Sequence, residues 1–305
     1  MNHDIVVIGG SFAGLSAAMQ VARARRTVLI LDTNAPRNRY AAASHGFPGQ
    51  DGRRPAEIGA ALRADLAAYP RVAFASEAAV AARREWKGFV ISLASAGEVT
   101  ARRLVLAYGV RDTLPDVPGL AERWGTSVLH CPYCHGYELG GQPLGVLARN
   151  EMALHQAMLL PDWGPTTLFT QGAFEPTSEQ RQALAARGAR VEATPVTALI
   201  GASPALEAVQ LADGRTIPLA GLFVAPQTEP SSDLARQLGC ATKDGPTGPY
   251  LEVDAMQATT VAGVFAAGDL ASPMPNATLA AAAGVLAGGA AHRSLVFDPD
   301  LASAA

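Results

Sequence analysis

The sequence predicts an α/β protein with two parallel-sheet domains, the second inserted into the first. A β-branched strand, a glycine turn, a helix and a second strand follow one another within residues 4–32. The order strand, helix, strand returns within residues 143–170. Each succession is typical of a βαβ unit in a parallel sheet. A late strand and an alanine-rich helix belong to the first domain again, so we expect bounds of 1–114 with 247–305, and 115–246.

The individual elements follow from short apolar runs and from the residues that end them. Runs rich in Val, Ile and Leu that stop at glycine or a turn residue are predicted as strands. They occupy residues 4–10, 27–32, 102–109, 143–149, 166–170, 221–226 and 260–270. Helices are predicted at 11–25, at 150–160 and from Asn276 onward, and the two prolines and glycine of residues 114–120 suit a linker.

The bulk composition is that of a well-packed globular protein. Hydrophobic residues make up 49% of the 305 residues and charged residues 17%, with a formal net charge of −3. No basic run stands out, so nucleic acid is not an expected partner. Few cysteines and no visible signal peptide predict a cytoplasmic protein. The most apolar stretch, residues 277–291, is shorter than a membrane span, so we expect a buried helix and no membrane contact.

A glycine-rich turn joins the first strand to the first helix. In a Gly-x-Gly-x-x-Gly turn, the glycines allow the tight turn, the approach of a pyrophosphate and close helix packing. Ser11 replaces the second glycine, and Asp32 ends the next strand, where an acid binds a ribose hydroxyl. This order favours a dinucleotide site over an empty βα turn. The turn consists of Gly9, Gly10, Ser11, Phe12, Ala13 and Gly14.

Two of the three cysteines lie in HCPYCHGYE, residues 130–138. Structural zinc usually takes four ligands, and the chain has no second CxxC pair, so no metal is expected. A disulfide across so short a loop stabilises little. The spacing therefore favours a redox dithiol, in which one thiol has a lowered pKa and the other resolves mixed disulfides. The remaining cysteine, Cys240, is interpreted as a small buried hydrophobe.

The glycine turn, the CxxC motif and the segment GVFAAGDL (263–270) follow one another along the chain. In this order, and over nearly its whole length, the chain resembles the FAD-containing disulfide oxidoreductases of the low-molecular-weight thioredoxin reductase type. The resemblance implies two Rossmann-like dinucleotide-binding domains, FAD as cofactor and a homodimer. It places FAD on the N-terminal turn and Asp32. For His45, an ordinary loop histidine is the alternative. The further FAD residues that it implies are Arg37, Asn38, His45, Gly268, Asp269, Asn276, Ala277 and Thr278.

The same resemblance assigns roles within the cysteine motif. Cys134 corresponds to the sulfur next to the flavin, and Cys131 to the thiol that exchanges with substrate. His135 stands where the family usually has an aspartate that donates and accepts protons, and histidine can do the same near neutral pH. His130 could activate Cys131 as a base. The alternative for His130 is a residue at a helix start without a chemical role.

The expected nucleotide site of the second domain departs from the family. Reductases of this type bind NADPH through a GGGxSA turn and a basic HRR-like stretch. The equivalent residues, 148–153 and 169–172, read ARNEMA and FTQG. Without glycine, and with Glu151 beside the phosphate position, the turn is expected to exclude NADPH, and Arg149 is a poor substitute for the basic pair.

An intact flavin and CxxC framework beside a degraded nucleotide turn resembles the dithiol oxidase branch, which closes disulfides in gliotoxin, holomycin and romidepsin. That resemblance implies that Cys131 and Cys134 oxidise a small dithiol, that Cys134 reduces FAD, and that O2 reoxidises FAD to give H2O2. A disulfide reductase using NADPH or another donor such as ferredoxin is the first alternative. A redox sensor without catalytic activity is the second. The sequence does not identify the dithiol.

Overall fold

Strands and helices alternate along residues 2–298, the part of the chain that this computed structural model describes. The helices are α1 (Phe12–Arg23), α2 (Pro55–Ala67), α3 (Pro132–His135), α4 (Ala153–Leu159), α5 (Ser178–Ala186), α6 (Leu234–Leu238) and α7 (Ala277–Phe297). The strands are β1 (Asn2–Ile8), β2 (Val28–Leu31), β3 (Val72–Ala75), β4 (Ala79–Glu85), β5 (Gly88–Leu93), β6 (Glu98–Leu106), β7 (Val110–Thr113), β8 (Val128–Leu129), β9 (Leu144–Leu147), β10 (Thr166–Phe169), β11 (Arg190–Glu192), β12 (Val196–Ile200), β13 (Ala208–Leu211), β14 (Thr216–Pro218), β15 (Gly221–Val224), β16 (Gln227–Pro230), β17 (Thr242–Asp244), β18 (Pro249–Leu251) and β19 (Val264–Ala266).

The first compact unit is built on a seven-stranded sheet with the order β3-β2-β1-β6-β5-β4. Strands β1, β2, β3 and β6 are parallel, whereas β4 and β5 form an antiparallel extension. The long strand β6 pairs with β5 along its first half and with β19 along its second half. The late strand predicted from the sequence thus joins the sheet that the N-terminal strand begins.

The second compact unit contains a five-stranded sheet with the order β11-β10-β9-β15-β8, in which every pair is parallel. A three-stranded antiparallel sheet, β12-β13-β14, packs on it through Val196, Leu199 and Val209, which share a core with Leu147 and Leu222. The α/β fold class is confirmed, with a parallel sheet in each unit. The parallel edge strand β3 and the antiparallel strands β4, β5 and β12 to β14 are additions that were not predicted from the sequence.

The division into units differs from the expected domain bounds. The first unit comprises residues 1–39, 55–111 and 228–305, and the second comprises 40–54 and 112–227. The chain therefore returns to the first unit earlier than residue 247, because Leu234 and Cys240 pack in the same core as Leu104 of β6.

Residues 40–54 also depart from the expected bounds, since they belong to the second unit although they precede α2. Tyr40 lies so close to Gly125 that a Cβ on this glycine would meet the Cβ of Tyr40 at 2.6 Å. His45 also contacts Glu138, at 3.4 Å between ring nitrogen and carboxylate oxygen. These contacts explain why the loop separates from its neighbours in sequence.

Helix α7 packs against α1 through small residues. A Cβ on Gly284 would lie 2.1 Å from the carbonyl oxygen of Ala13, and one on Gly288 would lie 2.3 Å from that of Ala17. Close backbone contact of this kind is possible only without side chains at the two positions. The alanine and glycine content of α7 therefore has a structural cause, namely contact with α1.

The opposite face of α7 is not buried in the chain, so the expectation of a buried helix is wrong for that face. Leu279 and Val285 are each 43% exposed, and Phe297 is 79% exposed. The helix is apolar on all sides, but only one side faces α1. By length and composition alone, α7 is also the one helix within residues 2–298 that could cross a membrane.

Gly284→Ala should destabilise the protein by about 1–3 kcal/mol, because the added methyl group overlaps the Ala13 carbonyl. Gly289→Ala is the matched control, since no atom lies within 4 Å of a Cβ at that position. Higher helix propensity should make the control neutral or more stable, by up to about 1 kcal/mol. Urea unfolding of both variants tests the prediction, and equal stabilities would contradict the packing.

Candidate redox site and cofactor cradle

The turn between β1 and α1 requires glycine at both of its ends. Gly9 has a φ of +108°, and a Cβ there would meet the carbonyl oxygen of Ala107 at 2.2 Å. A Cβ on Gly14 would lie 1.8 Å from the carbonyl oxygen of Gly9. These contacts hold the start of α1 against the carboxyl end of β1. This is the backbone arrangement that a dinucleotide pyrophosphate needs.

Ser11 occupies the N-cap of α1 with an extended backbone, and its hydroxyl makes no capping hydrogen bond within the described chain. The helix continues for 12 residues from Phe12, so its N-terminal end carries a partial positive charge. Phosphate binds readily at such an end. The replacement of glycine by serine therefore leaves the cradle compatible with a pyrophosphate.

Asp32 follows β2, as predicted, and its carboxylate binds the guanidinium of Arg63 from α2. Arg63 also reaches the carbonyl oxygen of Gly10 and the side chain of Asn34, each at 3.2 Å. The sequence analysis missed Arg63, because no spacing rule connects a residue of α2 to the end of β2. The pair places a cation beside the predicted ribose-binding carboxylate.

The other end of the cradle is formed by residues far apart in sequence. Arg37 and Asp269, both predicted FAD residues, form an ion pair at 2.9 Å. Asn38 lies in the same 3₁₀ turn as Arg37. Gly268 has a φ of +77° and begins the 3₁₀ turn that carries Asp269.

Asn276 caps helix α7. Its side-chain oxygen accepts hydrogen bonds from the backbone N–H groups of Thr278, at 2.8 Å, and Leu279, at 3.1 Å. Ala277 is the first residue of the helix. A cavity of about 260 Å³ adjoins this end, between Gly268, Asp269 and Asn276. The glycine turn and the N-terminal end of α1 suit the pyrophosphate of FAD.

His45 lies in the second unit, between two carboxylates. Its Nδ1 is 3.5 Å from Asp51 and its Nε2 is 3.4 Å from Glu138. The expected role of His45 at FAD stays a prediction. Glu138 belongs to the HCPYCHGYE segment, yet the sequence analysis gave it no role.

The two cysteines of the motif are adjacent at the start of α3. Their sulfur atoms lie 2.6 Å apart, and both side chains are half-buried thiols. Cys131 is the N-cap of α3, and Pro132 begins the helix. The two thiols are therefore close enough to form a disulfide with each other. Within residues 2–298, no three His, Cys, Asp or Glu side chains are grouped as metal ligands would be.

The two thiols differ in pKa because their surroundings differ. The hydrogen bond with Cys134 lowers the pKa of Cys131 to about 7, and backbone N–H groups of Cys134 and Tyr133 add to this against the opposing effect of burial. The pKa of Cys134 is raised, first by the same hydrogen bond and then by burial. Cys131 is thus the more acidic thiol, and Cys134 donates the hydrogen bond between the two sulfur atoms. The roles of the two cysteines toward flavin and substrate stay a prediction.

The histidines beside the cysteines differ in setting. Burial lowers the pKa of His135, while Glu138 raises it and His45 lowers it further. The backbone carbonyl of His130 accepts a hydrogen bond at 2.7 Å from Gln156 of α4. Gln156 was also missed from the sequence, and its contact anchors the end of β8 directly before Cys131. The proposed base role of His130 stays a prediction.

In the second unit, side chains of the turn expected to bind a nucleotide form hydrogen bonds with backbone groups of the protein. The side-chain oxygen of Asn150 accepts from the Met152 N–H at 2.9 Å, and Arg149 donates to the Thr113 carbonyl at 2.8 Å. Gln171, at the end of β10, bonds both backbone polar groups of Val196. One backbone N–H of this turn and the side chain of Arg149 are therefore engaged within the protein.

Fold and motifs together define a flavin-dependent disulfide oxidoreductase, and comparisons with known proteins agree. The family described as Pyridine nucleotide-disulphide oxidoreductase matches residues 3–153 and 173–284. Thioredoxin reductase tcpT of Claviceps purpurea is 32% identical over 97% of this chain and 95% of its own length. Thioredoxin reductase sirT of Leptosphaeria maculans is 32% identical over 93% of this chain and 92% of its own length.

Solved structures are similar over the whole chain. An oxidoreductase from Agrobacterium tumefaciens is 47% identical with a TM-score of 0.94, covering 97% of this chain and 99% of that one. The structure of HlmI is 38% identical with a TM-score of 0.89, covering 99% of this chain and 95% of that one. The chain belongs to the pyridine nucleotide-disulphide oxidoreductase family, in its thioredoxin reductase-like, FAD-binding group.

Limited alkylation of the fully reduced protein should label Cys131 first, with a rate that rises through about pH 7. Iodoacetamide followed by peptide mass spectrometry gives the site and the pH midpoint. Cys240 is the internal control. Its side chain is only 8% exposed and burial raises its pKa, so it should react last. Preferential labelling of Cys134 would contradict the assignment of the thiolate.

Proposed function

We propose that this protein is an FAD-dependent dithiol oxidase that closes a disulfide in a small dithiol and delivers the electrons to O2, giving H2O2. The observation that carries the proposal is a contrast between two sites. The CxxC pair and the FAD cradle keep the geometry that redox exchange needs. The nucleotide turn has lost its glycines, and Asn150, Arg149 and Gln171 are bonded within the protein.

The cysteine pair would act in two exchange steps. Starting from the Cys131–Cys134 disulfide, a substrate thiolate attacks the sulfur of Cys131, and Cys134 leaves with the bonding electrons. The second substrate thiol then attacks the substrate sulfur of the mixed disulfide and releases Cys131. Low pKa makes Cys131 the better leaving group in this second step.

FAD, when bound in the cradle, supplies the acceptor for the two electrons of the cysteine pair. The overall balance is one dithiol and one O2 converted into one cyclic disulfide and one H2O2. The two substrate protons must leave through side chains near the pair, and His135 is the proposed acceptor because it is half-buried directly beside Cys134. The resemblance of the CxxC motif and the degraded nucleotide turn to the dithiol oxidase branch supports this direction of electron flow.

A disulfide reductase is the second candidate. The family description and the curated relatives named thioredoxin reductase favour it. Such a reductase would need NADPH bound in an unusual way, or another electron donor such as ferredoxin. Unusual NADPH binding is disfavoured because the Asn150 side chain already accepts a hydrogen bond from the Met152 N–H of the turn.

With a small dithiol such as dithiothreitol, oxygen consumption should equal peroxide formation and disulfide formation. Cys131→Ser should reduce turnover on the order of a thousandfold, because the exchange thiol is gone. Cys240→Ser is the matched control and should keep wild-type turnover. An oxygen electrode with a peroxide assay measures both. Oxygen uptake that persists in Cys131→Ser would contradict a cysteine-dependent oxidase.

The proposal includes a cytoplasmic homodimer, in which the exposed apolar face of α7 is covered by a second copy. Leu286 is 41% exposed and Val285 43% on this face. Burial of such side chains is the usual driving force of association.

Val285→Glu should convert the dimer to a monomer, because a buried carboxylate would face apolar side chains. Val80→Glu, at a 52% exposed position of β4 away from α7, is the control and should remain dimeric. Sedimentation velocity distinguishes the two states. A wild-type protein that sediments as a monomer at micromolar concentration would refute this part of the proposal.

A further inference from the structure

One arginine joins separate parts of the FAD cradle. The guanidinium of Arg63, in α2, binds the carboxylate of Asp32, the residue that follows β2. The same nitrogen, Nη2, donates to the carbonyl oxygen of Gly10 and to the side-chain oxygen of Asn34, each at 3.2 Å. All four residues belong to the first compact unit. A single side chain thus connects the glycine turn with the carboxylate that is predicted to bind ribose.

The ion pair explains a glycine that the dinucleotide motif does not require. Gly10 follows the first glycine of the turn, at a position that the Gly-x-Gly-x-x-Gly pattern leaves free. Its φ is not positive, so backbone conformation does not demand glycine there. A Cβ on Gly10 would lie 2.6 Å from Oδ2 of Asp32 and 2.7 Å from Nη2 of Arg63. The missing side chain therefore leaves room for the pair against the turn.

Strand β3 supports both members of the pair. The guanidinium of Arg63 lies 5.4 Å from the ring centroid of Phe74, within the range of a cation–π contact. The backbone N–H of Asp32 donates to the carbonyl oxygen of Ala75 at 3.1 Å. Both charged side chains are partly shielded from solvent, so salt screens their attraction less than that of an exposed pair. The pair is therefore held in one arrangement.

Arg63 uses only one oxygen of the Asp32 carboxylate. Its contact is with Oδ2, and Oδ1 makes no hydrogen bond or ion pair within residues 2–298. An ionised carboxylate accepts hydrogen bonds through both oxygens. Oδ1 can therefore accept from a ribose hydroxyl while Oδ2 stays bound to Arg63.

The charge of Arg63 also offsets a repulsion between Asp32 and the cofactor. The pyrophosphate of FAD is negatively charged and is expected at the glycine turn, which the Asp32 carboxylate borders at Gly10. Like charges at such short range repel, and a guanidinium between the turn and the carboxylate reduces that repulsion. The ion pair thus makes an acidic residue compatible with a phosphate site.

We propose that Arg63 is the positioning residue for the adenosine half of FAD: it fixes Asp32 against the glycine turn, with Oδ1 open to the ribose. Asp32 is the residue that contacts the cofactor, and Arg63 acts through it. This role concerns the affinity for FAD and is independent of the direction of electron flow.

The test measures how tightly the full-length protein, stripped of FAD, binds added FAD in equilibrium dialysis. Arg63→Gln should weaken binding by about tenfold to a hundredfold, the effect of losing a hydrogen bond to a charged group. Arg63→Lys keeps the charge without the planar guanidinium and should lose less. The matched control is Arg83→Gln. Arg83 binds Glu98 at 2.8 Å on the surface of the same unit, so its removal should leave FAD affinity unchanged.

A double-mutant cycle distinguishes positioning from a general structural role. Asp32→Asn should itself weaken FAD binding, because the ribose loses its carboxylate. Since Arg63 acts through Asp32, adding Arg63→Gln to Asp32→Asn should weaken binding by a further factor of about three at most. Circular dichroism confirms that each variant is folded.

Wild-type FAD affinity in Arg63→Gln would overturn the proposal. An equal loss with and without the Asp32 carboxylate would also overturn it, because Arg63 would then act independently of Asp32. Should Arg63→Gln fail to fold, Arg63→Lys completes the same cycle and the same two outcomes decide. Because the measurement uses neither a dithiol nor oxygen, this proposal can fail while the oxidase function stands.

Discussion

Backbone contact around α1 is the constraint on which the first unit depends. Gly14 brings the helix against Gly9, and Gly284 brings α7 against Ala13, in each case closer than any side chain allows. The same contacts set the N-terminal ends of α1 and α7 in the cradle, where Ser11 and Asn276 are the caps. Packing and cofactor binding therefore depend on the same small residues, and a substitution there affects both.

The two dinucleotide-type turns of the chain have diverged. At Gly9 and Gly14 the absence of side chains lets the turn pack closely against other backbone atoms, whereas at Asn150 the side chain of the turn accepts a hydrogen bond from the Met152 N–H. The sheet of the second unit does not need a ligand for its stability, because its core consists of Leu, Val and Phe side chains. This unit also carries Cys131 and Cys134, so its fold positions the redox pair.

The features that sequence predicted well are those with a local pattern. The βαβ turn, the strand before Asp269 and the start of the last helix near Asn276 each follow from a few neighbouring residues, and the structure contains all three. Contacts between distant segments were not predictable. Arg63 on Asp32 and His45 on Glu138 depend on how a helix and a loop return to the sheet.

The direction of electron flow is the central claim, and anaerobic flavin spectroscopy tests it most directly. Excess NADPH is added to one sample of the yellow protein and a small dithiol to another, and air is then admitted to both. The account predicts bleaching by the dithiol alone, with the colour returning in air. Rapid bleaching by NADPH would show that the turn at residues 148–153 still binds a nucleotide, and the reductase function would replace the oxidase.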